Sequence, residues 1–60
     1  MANAKFIYVY GTKERDVLLS MGYQLFQSDE PKHIYIFLNN EPDKLMFADI
    51  SYITSNQLLL

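Results

Sequence analysis

Two five-residue runs, Phe6-Ile7-Tyr8-Val9-Tyr10 and Ile34-Tyr35-Ile36-Phe37-Leu38, carry a large apolar or aromatic side chain at every position. β-branched and aromatic residues at this density predict strands. Alternate residues of a strand face opposite sides of its sheet, so each run is apolar on both faces. Strands of that kind normally need cover on both sides. The chain has 60 residues, enough for one domain that buries roughly 60% of its unfolded surface. It has no cysteine, so neither a disulfide nor a thiolate-bound metal can supplement the core. Oligomerisation is the remaining device open to small domains. Half of the residues are apolar, which supplies material for both a core and an interface.

Between and around these runs the pattern predicts a β-α-β-β order. The first strand stops at Gly11, and Thr12 is placed to cap a helix over Lys13 to Met21. Glu14 and Asp16 suit the positive end of the helix dipole. Val17, Leu18 and Met21 form an apolar stripe, and Gly22 stands where a glycine commonly ends a helix. Tyr23 to Gln27 reads as a second strand, Ser28 to Lys32 as a polar turn, and His33 to Leu38 as the third strand. Asn39 to Asp43 reads as a second turn. In the tail, Leu45 to Phe47 is assigned to a short strand, Asp49 to Ile53 to a helical turn, and Gln57 to Leu60 to a closing strand. A right-handed crossover makes the first two strands parallel, and the third runs antiparallel between them. The expected fold class is therefore α+β: a single domain over 1–60, with one helix packed on a mostly antiparallel sheet of roughly three to five strands.

The formal net charge is −2. The five basic residues, Lys5, Lys13, Arg15, Lys32 and Lys44, are scattered along the chain, which disfavours a nucleic-acid footprint on one copy. The start of the chain lacks the pattern of a signal peptide, and no apolar run reaches a membrane span. With the absence of cysteine, this places the expected location in the cytoplasm and implies no membrane partner.

The densest candidate site is aromatic. Tyr8, Tyr10, Tyr35 and Phe37, joined by Leu58 and Leu60 of the tail, are assigned to an interface with a second copy, a dimer being favoured. Tyrosine suits such a role because it joins a large apolar area to a polar tip. The same rings could instead stack bases, as aromatics do on RNA-binding sheets. Ile7-Tyr8-Val9-Tyr10-Gly11 is similar to the first-strand motif of RNA-recognition domains, although the basic, glycine-containing companion motif is missing from the third strand. For catalysis the sequence offers little. His33 is the one histidine, and no nucleophile or orienting group is assigned to it. Asp29, Glu30, Glu41 and Asp43 fall in separate turns beside prolines. Gly11-Thr12-Lys13 has only the end of a phosphate loop. The expectation is no catalytic residue, no cofactor, no metal site and no enzyme activity.

The chain resembles short open reading frames of tailed phages of Gram-positive bacteria. The likeness lies in the opening Phe6-Ile7-Tyr8-Val9-Tyr10, the helix ending near Leu19-Ser20-Met21-Gly22-Tyr23, the strand Ile34-Tyr35-Ile36-Phe37 and the apolar close. That resemblance implies a phage or prophage accessory protein of the anti-defence, anti-CRISPR-like type, acting on a host protein in the host cytoplasm. It carries no functional residue onto this chain. The functional expectation is an oligomeric binding protein that inhibits or sequesters a host defence component. The alternative is a nucleic-acid-binding module assembled from aromatic sheet faces.

Overall fold

The computed structural model describes residues 4–46 and 48–58. Among them the chain forms β1 (Phe6–Tyr10), α1 (Thr12–Ser20), β2 (Leu25–Asp29), a 3-10 turn (Glu30–Lys32), β3 (Ile34–Leu38), α2 (Pro42–Leu45) and β4 (Ile53–Ser55). The sheet has four strands in the order β2-β3-β1-β4, and every neighbouring pair is antiparallel. β3 thus lies between β1 and β2, which are parallel to one another, as the crossover argument requires. The α+β class holds.

The ends of α1 are set by two glycines. Gly11 occupies the N-cap at φ 129° and ψ 154°, a region open essentially to glycine alone. Thr12 is therefore the first helical residue rather than the cap, and no side chain caps this end. At the other end Gly22 takes φ 91°. Its amide donates to the Leu19 carbonyl at 3.1 Å, and that of Tyr23 reaches back to the Leu18 carbonyl at 3.1 Å. These are the two bonds of a Schellman motif, and its usual apolar contact joins Leu18 with Tyr23; both are buried in one core cluster.

The register of β1 on β3 decides the core. Ile7 faces Phe37, Val9 faces Tyr35, and Tyr8 faces Ile36. Directly opposed residues share a face of the sheet. The helix-covered face is therefore mixed: Ile7 and Val9 from β1, Tyr35 and Phe37 from β3. The helix thus covers neither a purely aliphatic nor a purely aromatic face. Each bulky ring stands across from a β-branched side chain, a pairing that fills the space between strands evenly. Leu18, Tyr23 and Leu45 complete this core, with Met21, Ala48 and Ile50 packed against it.

The tail departs furthest from the sequence expectation. Pro42 stands in the first turn of α2, a position where proline is preorganised for a helix and its missing donor costs nothing. Leu45 is thereby a buried helical residue instead of a strand residue; Phe47 lies outside the described residues. Ala48 packs on the core, and the segment expected as a helical turn, Asp49 to Ile53, adds Ile50 to it and enters β4 at Ile53. The closing strand thus lies earlier than Gln57 to Leu60, and Leu59 and Leu60 are outside the described residues. β2 is shifted to Leu25–Asp29, and His33 stands outside β3 in a left-handed conformation, φ 57° and ψ 38°.

The glycine geometry sets a stability test. Gly22→Ala leaves the Cβ in open space, so its expected cost is conformational, about 1–2 kcal/mol. Gly11→Ala is expected to cost more, because its Cβ would also lie 2.8 Å from Glu14 Oε1. Urea denaturation of the two variants checks both the sign and the order.

Candidate functional site

The four rings assigned to one aromatic face do not share one. The register places Tyr8 and Tyr10 on the face opposite to Tyr35 and Phe37. Tyr35 and Phe37 are both 0% exposed within a single chain and belong to the core beneath α1. A shared face would require β1 to slip by one residue against β3. The ladder is held beyond both strand ends, by the Gly11 amide on the His33 carbonyl at 2.8 Å and the Asn39 amide on the Lys5 carbonyl at 2.9 Å. The base-stacking platform drawn from these four residues is accordingly absent.

What the sheet carries instead is a second face without a helix in its core cluster. Phe6, Tyr8 and Tyr10 line it from β1, with Ile34, Ile36 and Leu38 from β3 and Ile53 from β4. A bulge in β2 between Leu25 and Gln27 supplies one more ring. Bulged residues escape strict alternation, and Phe26 meets Phe6 at 5.4 Å between ring centroids, tilted by 42°. Tyr8 and Ile36 are buried at the centre of this face, and the Tyr8 hydroxyl donates to the Gln57 carbonyl at 2.6 Å. Around that centre Phe26 is 49% exposed, Ile53 56% and Tyr10 57%. Of the other tail residues assigned to the interface, Leu58 is exposed and Leu60 lies outside the described residues.

The polar groups form small local networks. Arg15 pairs with Asp16 at 2.9 Å and stands over the Tyr35 ring, 5.2 Å from its centroid. The Tyr35 hydroxyl donates to Glu30 at 2.9 Å. Loss of solvent raises the Tyr35 pKa, and the Glu30 carboxylate raises it further, against a smaller opposing effect of Arg15. Tyr23 is raised as well, chiefly by burial and then by Glu41, Tyr52 and Asp43; its hydroxyl donates to the Glu41 carbonyl. Glu41 also pairs with Lys44 at 3.1 Å. Of the turn carboxylates, Glu30 and Glu41 are thus tied to local partners. At the start of α1 the Gly11 amide is spent on His33, and Glu14 sits close by, so an anion there would meet a carboxylate. Among the described residues no group of three or more His, Asp or Glu side chains could hold a metal ion. None of their helices is long and apolar enough to cross a membrane.

Family models, curated proteins and solved structures offer no match to this chain. What it does must be argued from its own surface.

Two tests follow from the burial pattern. Phe37→Ala is expected to cost about 3–5 kcal/mol, enough to unfold much of a chain whose total stability is of that order. Phe26→Ala is expected to cost under about 1.5 kcal/mol and to remain folded, and thermal melts followed by circular dichroism separate the two. The second test is alkaline. The folded state holds the phenolic protons of Tyr23 and Tyr35 more tightly than the unfolded chain, whose tyrosines titrate near pH 10. Their contribution is complete below about pH 10 and is lost as pH rises through the raised folded values. Urea midpoints should therefore fall above that pH, less steeply in Tyr23→Phe and Tyr35→Phe than in the parent; equal slopes in all three would refute the assignment.

Proposed function

We propose that this protein is a non-enzymatic binding protein that associates through its helix-free sheet face, with a homodimer as the favoured assembly. The observation that carries this reading is the ring of half-exposed Phe26, Ile53 and Tyr10 around the buried pair Tyr8 and Ile36. The chain exposes 4163 Å² in all, close to the roughly 4,100 Å² of a compact monomer of this mass. What marks this face is which residues it exposes, not how much surface. Large side chains collected on one face are what soluble monomers seldom present. A two-fold axis through the face would set the same patch against itself. Burying each such ring stabilises by roughly 1.5–3 kcal/mol at most.

The target of the assembled protein, on the likeness to phage accessory proteins, is a host defence component that it inhibits or sequesters. Phage encounter the defence machinery inside the bacterial cytoplasm, which is the compartment this reading assigns. A nucleic-acid-binding role loses the four-residue stacking platform on which it was based, and the scattered cations offer few simultaneous phosphate contacts.

The assembly is checked by light scattering on a size-exclusion column over a broad concentration range. The parent should run as a dimer, and Phe26→Lys as a monomer that keeps its circular dichroism spectrum. A parent that stays monomeric throughout, or a variant that keeps the parent mass, refutes the face assignment. The target class is checked by plating a targeted phage on bacteria that carry an active CRISPR or restriction system. Expression of the protein should raise plating efficiency, and unchanged plating across such systems counts against an anti-defence role. Salt-resistant binding of single-stranded DNA would move the reading to the nucleic-acid alternative.

A further inference from the structure

At the end of the helix-free face, where β1 passes into α1 and the chain enters β4, Tyr10, Glu14, Ser51, Tyr52 and Ile53 surround a cavity of about 140 Å³. Its lining is mostly apolar, from two tyrosines and an isoleucine, with one serine and one glutamate beside them. Tyr10 and Tyr52 are both exposed in the single chain, and Tyr52 lies outside the ring of residues assigned to association. Glu14 lines the notch, and its carboxylate lies close against Gly11. A Cβ on Gly11 would stand 2.8 Å from Glu14 Oε1, so it is the absence of a side chain at position 11 that leaves room for the carboxylate. Among the described residues no cation lies within ion-pair distance of Glu14; Arg15 is paired with Asp16 and Lys44 with Glu41.

The geometry points to this notch as a receptor for an arginine side chain presented by a partner protein. A cation is favoured over the face of a phenol ring and beside an unpaired carboxylate. Guanidinium suits both at once, because it is planar, stacks on rings and bonds a carboxylate through two N–H groups. The chain already uses that chemistry internally. Arg15 stands over the Tyr35 ring while bonding a carboxylate, Asp16, and the ring's own hydroxyl is held by Glu30. The notch has the rings and the carboxylate of such an arrangement without the arginine. An anionic ligand would meet Glu14, and a purely apolar one would leave that carboxylate unpaired. Two walls, Tyr10 and Ile53, also belong to the margin of the proposed association face, Ile53 standing opposite Tyr8, while Glu14, Ser51 and Tyr52 come from α1 and the segment before β4.

This inference rests on the reading of the protein as a protein-binding module, but its test does not require the partner. Nα-acetyl-arginine amide is titrated into the full chain and followed by two-dimensional amide and tyrosine-ring NMR, with Nα-acetyl-citrulline amide as the neutral isostere. The expected result is saturable shifts at Tyr10, Glu14, Tyr52 and Ile53 with arginine and at least about threefold weaker binding of citrulline. Glu14→Gln should weaken arginine binding by about threefold or more and flatten its salt dependence. Tyr52→Leu, which keeps an apolar wall without the ring, should weaken it by about twofold or more. Equal binding of citrulline, shifts centred elsewhere, or affinity unchanged in Glu14→Gln would each overturn the assignment. If arginine binds and the chain has no protein target, the notch stands and the functional reading falls. If a target is found and arginine does not bind, the reverse holds.

Discussion

The β1–β3 ladder is the interaction on which the rest of the molecule depends. Among the described residues, every large buried side chain outside α1, α2 and Tyr23 comes from these two strands. Their register decides which of those side chains meet the helix. With Ile7 against Phe37 and Val9 against Tyr35, each cross-strand pair joins a ring with a branched aliphatic. The alternative register would crowd five rings on one face and leave aliphatics on the other. Mixed pairs let a single nine-residue helix and the segment around Leu45 close the core without a second full helix.

That economy leaves the other face unevenly covered. Its centre, Tyr8 and Ile36, is buried, and the Tyr8 hydroxyl is tied to the main chain at Gln57. Its margins are not. The β2 bulge adds Phe26 to the margin, and β4 adds Ile53, so the exposed apolar groups ring a closed centre. A surface of that form suits association better than small-molecule chemistry, which needs converging polar groups. The polar side chains are instead spent on local ties: Arg15 with Asp16, Tyr35 with Glu30, Lys44 with Glu41. Glu14 has no such tie among the described residues. Its position beside Gly11 follows from the same glycine that allows the sharp turn from β1 into α1, so the tight turn and the open carboxylate have one cause.

The elements most readable in the sequence are those whose signals are local. Phe6 to Tyr10 and Ile34 to Leu38 announce strands by composition, and Gly22 announces the helix end because only glycine accepts its backbone angles cheaply. The parallel relation of β1 and β2 was legible because a helix, not a tight turn, connects them. The tail was less legible for a physical reason. Leu45, Ala48 and Ile50 have apolar character but no sustained period, and what orders them is contact with a core that local sequence does not describe. Pro42 carried a usable signal, since proline commonly opens a helix. Of the assigned interface residues, Tyr10 and Leu58 are exposed, whereas Tyr8, Tyr35 and Phe37 are consumed within the chain.

The amino-acid sequence alone determined that this chain would form two strands apolar on both faces, one short helix bounded by glycines, and a domain without disulfides or thiolate metal ligands. Those outcomes depend on backbone preference, side-chain alternation and the presence or absence of a residue type. Only the tertiary structure decided which rings became core and which became surface. Alternation along a strand states that Tyr8 and Val9 face opposite ways, but not which of them faces the helix. That choice belongs to the pairing of strands distant in sequence, where one residue of slip exchanges every side chain between the two faces.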